Sequence, residues 1–205
     1  YFSRSFLCFH RVCVHYAAAG GNFDILNHLT SKGADFSVSD SGGFLPIHYA
    51  ARYGHGDVVQ WLWMQGSPLD RVCGSGKTLF HCAAHGGLVD VMQLLLDNGL
   101  DINAQKENGF TPLFSAIAGG HPEAVEFILD NGGNTAAVGS MSPLTYCCKR
   151  KQPEVGALLI DRGGDPNEKD ETTGWTLLHT SVQLRSFEMA FMLETKGANV
   201  DAIDN

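Results

Sequence analysis

Apolar and polar positions follow one another along this chain with the spacing of helices, and two kinds of run recur. In the stronger kind, apolar residues fall three and four apart. Examples are Val58-Val59-Gln60-Trp61-Leu62, Val91-Met92-Gln93-Leu94-Leu95-Leu96 and Ala124-Val125-Glu126-Phe127-Ile128-Leu129. That spacing lays an apolar stripe along one helical face. The weaker kind comes before it and is rich in small residues, as in His15-Tyr16-Ala17-Ala18 and His48-Tyr49-Ala50-Ala51. Thr111-Pro112 and Ser142-Pro143 put a capping hydroxyl before a proline suited to the first helical position. Gly33, Gly66, Gly99, Gly132, Gly163 and Gly197 follow the stronger runs, where a helix stop is expected. Each pair of runs therefore predicts a helical hairpin.

The hairpins repeat. Aligned on the first histidine of each weak run, His15, His48 and His81 stand 33 residues apart, Phe114 follows at the same interval, Thr145 after 31 and His179 after 34. This divides the chain into six units, about 11–41, 42–74, 75–107, 108–138, 139–171 and 172–205, with 1–10 as a degenerate N-terminal segment. A hairpin this short cannot bury its apolar faces alone and must stack on its neighbours, so the expected architecture is a single all-α solenoid domain over 1–205.

The residues Leu45-Pro46-Ile47-His48-Tyr49-Ala50-Ala51-Arg52-Tyr53-Gly54-His55, and the run 94–104 that ends Gly99-Leu100-Asp101-Ile102-Asn103-Ala104, carry a family resemblance. The pattern of a Pro-x-His turn, paired alanines, Gly-His, an apolar helix and a Gly-Ala-Asp ending is similar to the ankyrin repeat, from about Val12 to the end. The resemblance implies two antiparallel helices per unit and a short protruding hairpin loop, carrying Ser41-Gly42-Gly43, Gly74-Ser75-Gly76 or Glu107-Asn108-Gly109. Unit five departs most: Thr145 replaces the turn histidine, Cys147-Cys148 the alanines and Lys151 the glycine. The loop before it, 132–142, is two residues shorter than its equivalents and the loop 163–176 one longer, so a change of curvature is expected there. The last stronger run has Phe187, Met189, Ala190, Phe191, Met192 and Leu193, too apolar for a terminal cap, and predicts further repeats or domains in the same polypeptide.

Charge changes the picture by exclusion. A formal net charge of -8 argues against nucleic acid as a partner, because phosphate binding is driven by Lys and Arg. Six cysteines show neither paired zinc spacing nor the density of a disulfide scaffold, which predicts reduced thiols and an intracellular, cytoplasmic setting. No apolar run is long enough to span a membrane, so no direct membrane insertion is expected.

Candidate chemistry is sparse. Cys73-Gly74-Ser75-Gly76-Lys77-Thr78 resembles the end of a phosphate-binding loop, but Arg71 stands at its first glycine and no strand pattern precedes it, so it reads as a hairpin tip. Of nine histidines, His15, His48, His81 and His179 occupy the turn, and His55 and His121 open second helices. His10, His28 and His85 share no ligand spacing. A His81–Cys82 dyad fails because helical neighbours point about 100° apart. No catalytic residue, metal ligand or cofactor is assigned, and the chain is read as not an enzyme. Asn103 lies in a stretch similar to ankyrin asparagines that are hydroxylated; the alternative is that it bonds the loop backbone, as asparagine often does in turns.

By the resemblance, function belongs on hairpin tips and outward ends of first helices, lining a concave groove. The residue before each turn is Phe44, Lys77, Phe110, Met141 and Trp175 in units two to six, and the groove-facing helix positions include Arg52, Tyr53, His85, Lys149, Arg150 and Gln183. Phe44, Tyr53, Phe110 and Trp175 are expected to be unusually exposed and to face one side as contact anchors. Lys149-Arg150-Lys151 is a local basic patch that could meet an acidic segment. The expected function is a scaffold that binds another protein or a peptide. The alternatives are a targeting or regulatory arm of an enzyme whose catalytic domain lies elsewhere, and small-ligand or nucleotide binding.

Overall fold

The structure, a computed structural model, describes residues 13–170 and 173–204. The N-terminal segment 1–10, with Cys8 and His10, lies outside them. Twelve helices occur among the described residues, in six antiparallel pairs. The first helices are α1 (Cys13–Ala19), α3 (Pro46–Arg52), α5 (Leu79–His85), α7 (Pro112–Gly119), α9 (Pro143–Arg150) and α11 (Leu177–Gln183). The second helices are α2 (Phe23–Ser31), α4 (Gly56–Met64), α6 (Val89–Asp97), α8 (Pro122–Asp130), α10 (Pro153–Asp161) and α12 (Phe187–Thr195). No strand forms among the described residues beyond two isolated bridges, Val138 with Met141 and Lys169 with Thr176. The chain is an all-α solenoid.

Pro46, Pro112, Pro122, Pro143 and Pro153 each open a helix, where the missing N–H costs nothing. The first helices form the more closely packed of the two rows. Their small side chains allow this: Ala50, Ala51, Ala83, Ala84 and Ala116 are fully buried. Approach is closest at the helix ends, where a Cβ on Gly86 would lie 2.1 Å from the Ala51 carbonyl oxygen. The second helices carry larger residues such as Trp61, Leu96 and Phe127 against the core and, up to α8, stand further apart. The earlier pairs are thus wedges, narrow at the first helix, and a stack of wedges curves with the first-helix row on its concave side.

One core cluster runs from Val14 to Ala198. Polar bonds from the turn histidines to backbone carbonyls 29, 23 and 29 residues further on reinforce it. The His15, His48 and His81 rings donate from Nε2 to the carbonyls of Phe44 (3.0 Å), Arg71 (3.2 Å) and Phe110 (3.1 Å). Nδ1 faces its own turn, accepting from the Leu45 N–H at 3.1 Å in His48 and from the Thr78 N–H at 3.3 Å in His81. The acceptor role at Nδ1 fixes the proton on Nε2. Burial keeps both rings neutral, lowering His48 and His81 from 6.5 to about 4.

Unit five replaces this link. Thr145 and Ser142 both donate to the Glu168 carboxylate on the following loop, so a carboxylate does there what an imidazole does elsewhere. Unit four has no substitute. Phe114 stacks on Phe110 with centroids 4.4 Å apart, and the buried hydroxyl of Thr111, whose counterparts Thr78 and Thr176 bond a histidine Nδ1 at 2.9 Å, has no partner.

Candidate partner-binding groove

The hairpin loops are rigid by construction. In the first, Asp40 accepts from the N–H groups of Gly42 and Phe44, both at 2.9 Å, and from the Tyr49 hydroxyl at 2.6 Å. Successive tips then bond one another: Gly74 N–H donates to the Gly42 carbonyl (2.8 Å) and Glu107 N–H to that of Ser75 (3.1 Å). Gly76, at φ +72°, makes the left-handed turn that lets its tip close, donating to the Cys73 carbonyl. The amides of Cys73, Gly74, Gly76 and Thr78 are used in bonds of this kind, and Lys77 lies over the Phe44 ring, 5.6 Å from its centroid.

The aromatic residues before each turn do not stand out into solvent. Phe44, Phe110 and Trp175 are half-buried. Phe44 packs edge-on against His48 and tilts on Tyr49, and Phe110 lies between Phe114 and Tyr146. A large ring gains more from lying on the neighbouring repeat than from standing in water. The expectation of unusual exposure therefore fits Tyr53 alone, at 55%. Met141 is also half-buried and its backbone closes the bridge to Val138. Lys149, Arg150 and Gln183 are exposed.

The structure brings Arg52, Lys77, His85, Phe110 and Arg150 together around one cavity of about 180 Å³, between α5, α7 and α9 on the first-helix side. Lys149, Met141, Trp175 and Gln183 do not line it. The cavity has a sequence cause. The position after the turn histidine is Tyr16, Tyr49, Cys82, Ser115, Tyr146 and Thr180 in the six units. Two small side chains follow two tyrosines and precede a third, and the hollow opens where they stand, floored by Cys82 and Ser115 and walled by Tyr146.

Lys106 and Tyr146 also line the cavity and were not singled out in the sequence. Lys106 occupies the hairpin position that holds Asp40 in the first loop and Cys73 in the second, each 33 residues earlier. Reading that column would have found it. Its stem is half-buried and its ammonium sits 5.4 Å from the centroid of Phe110. Arg150 lies 6.0 Å from the centroid of Tyr146 and donates to the Ala118 carbonyl at 3.2 Å. Burial, then the nearby Lys77 and Arg52 charges, lower the Lys106 ammonium; burial, then Arg52, lower His85. No carboxylate lies within ion-pairing distance of Arg52, Lys77, Lys106 or Arg150 among the described residues.

Asn103 belongs elsewhere. Its amide donates to the Gly132 carbonyl (3.0 Å) and accepts from the Asn134 N–H (2.7 Å). Asn167 makes the same pair of bonds to Gly197 and Asn199. In both places the side chain clamps one repeat to the loop of the next. The buried thiols are equally quiet: burial pushes Cys73 and Cys147 up to about 12 and Cys82 and Cys148 up to about 11, which leaves them protonated and unreactive.

Two family models, described as ankyrin repeats (3 copies) and ankyrin repeats (many copies), match residues 47–138 and 14–62, together more than half of the chain. No curated protein sequence matches the chain. Among solved structures, the crystal structure of the human ASB11 ankyrin repeat domain is similar, with a TM-score of 0.74 and 25% identity. The match covers 93% of this chain and 86% of that one.

Proposed function

Because the chain belongs to the ankyrin-repeat family, whose members are generally protein-interaction modules, we propose that it is a scaffold that binds another protein, or a peptide segment of one, along its concave groove and hairpin tips. The observation that carries this is the open flank of the first-helix row. There Tyr53, Lys149, Arg150 and Gln183 are exposed on rigid helix ends, and a cavity opens between α5, α7 and α9. Rigid anchors lower the ordering cost of association, and Tyr and Arg are favoured contact residues. The function is recognition rather than reaction.

Two further features belong to this reading. Protonated, buried thiols suit a reducing intracellular compartment, and no helix among the described residues is long and apolar enough to cross a membrane. On the last pair, Val182, Phe187 and Phe191 are 66%, 80% and 59% exposed. Earlier pairs contact the pair that follows, and we read this face as the seat of a further repeat or domain of the same polypeptide.

The test is selection of binders from a random-peptide display library against the whole chain, followed by Tyr53→Ala, Lys149→Ala, Gln183→Ala and Trp175→Ala. Selected peptides should lose about 1 kcal/mol or more of affinity at the anchors among these positions. Peptides indifferent to all four and to the cavity residues would remove the groove from the function.

A further inference from the structure

We propose that the cavity between α5, α7 and α9 is a recognition site for the carboxylate side chains of an acidic segment of the partner, an inference that rests on the groove being the interaction surface. Arg52, Lys77, Lys106 and Arg150 line this one space, although they come from units two, three and five and the chain as a whole carries a net charge of -8. Two cations elsewhere are ion-paired, Arg162 with Glu126 at 2.8 Å and Asp130 at 2.6 Å, and Lys196 with Asp161. The four around the cavity have no such carboxylate among the described residues, and they share one space.

Assembling like charges in a half-buried hollow is unfavourable, and their mutual repulsion is visible at Lys106, whose ammonium is lowered by Lys77 and Arg52 after burial itself. Aromatic faces hold three of them, Lys77 on Phe44, Lys106 on Phe110 and Arg150 on Tyr146, with one Arg150 N–H also given to the Ala118 carbonyl, and these contacts leave further donor N–H groups unused. An anion would relieve the repulsion and engage those donors. Arg adds a planar fork that matches a carboxylate.

The size of the cavity selects the occupant. About 180 Å³ is below the roughly 300–1,000 Å³ of small-molecule sites and suits a side chain or two rather than a nucleotide. An extended peptide brings them in register. Neighbouring first helices at about 8–10 Å match about three residues of extended chain at ~3.3 Å each, so acidic residues three apart would meet the cations of adjacent units.

The same library selection tests this, with fold checked by circular dichroism. Groove-dependent peptides should be enriched in Asp and Glu. Their affinity should fall about tenfold or more with Arg52→Glu or Arg150→Glu, with salt, and when their acids become Asn and Gln. Ser115→Tyr, which copies Tyr49 and Tyr146 and fills the hollow without altering charge, should also abolish binding. Groove-dependent peptides with no acidic enrichment would overturn the carboxylate site while leaving the interaction surface standing, whereas no groove dependence at all would remove both. Normal binding to folded Ser115→Tyr, or binding only when the acids are replaced by phosphoserine, would equally overturn it.

Discussion

Acid should unfold this solenoid through two of its buried turn histidines. His48 and His81 have rings lowered from 6.5 to about 4, in both cases chiefly by burial. Asp40 and Arg71 are the charged groups acting on His48, and Lys106 and Lys77 those acting on His81. Between about pH 6.5 and pH 4 the unfolded chain binds more protons than the folded one, so stability falls as pH falls through that window. It is intact above pH 6.5 and levels off below pH 4. At ~1.4 kcal/mol per pH unit each histidine contributes roughly 3 kcal/mol over the whole window and about 2 kcal/mol by pH 5. A protonated ring would keep its Nε2 bond to the Arg71 or Phe110 carbonyl but lose the Nδ1 acceptor that receives the Leu45 or Thr78 N–H. Urea midpoints at pH 7.5 and pH 5 measure the effect for the native chain, for His48→Gln, for His81→Phe, which copies Phe114, and for the double variant. Other titrating groups cancel in the comparison. Each single variant should retain about 2 kcal/mol more of its own neutral-pH stability at pH 5 than the native chain does. Equal losses in all four proteins would refute the argument that these rings stay neutral because they are buried.

Lys151 and Arg185 sit at φ 57° and 52°, where the equivalent Gly54, Gly87 and Gly120 also have positive φ; Lys151→Gly and Arg185→Gly should each stabilise by about 1 kcal/mol, read as a rise in thermal midpoint. Thr111 and Thr78 should respond oppositely to valine. Thr111→Val removes a buried hydroxyl without a partner and should be neutral or gain up to about 1 kcal/mol, while Thr78→Val breaks the bond to His81 and should cost about 1 kcal/mol.

The fold was open to sequence reading because a solenoid writes its architecture as a period. Each unit restates the same apolar stripe, turn and glycine, so an error in one is corrected by five others. Unit five shows how far this reaches. The loss of the turn histidine at Thr145 was plain, but its replacement by Glu168, on the next loop, was not, since the compensating residue lies outside the motif it repairs.

The cavity was harder to see for a related reason. Groups that meet across a repeat boundary lie about one period apart, as with His81 and Phe110 at 29 residues or Asn103 and Asn134 at 31. A search along the chain therefore finds the wrong neighbours. It drew attention to Lys149-Arg150-Lys151, of which only Arg150 lines the cavity and Lys151 caps its helix in the left-handed region. It passed over Lys106, which is isolated in the sequence and central in space. The exposure expected of Phe44, Phe110 and Trp175 failed because a ring before the turn folds back onto what lies beside it, Phe44 onto His48 and Tyr49 of its own turn and Phe110 onto Phe114 and, across the boundary, Tyr146. Stacking the units as columns gives the better rule: structure resides in columns that stay constant, and the candidate site appears where two columns change together. Here the column of Tyr49, Cys82, Ser115 and Tyr146 turns small in units three and four, and the hairpin column that runs Asp40, Cys73 and Lys106 turns basic in unit three, on the loop between those two units. The first change makes room and the second sets the sign of the charge within it.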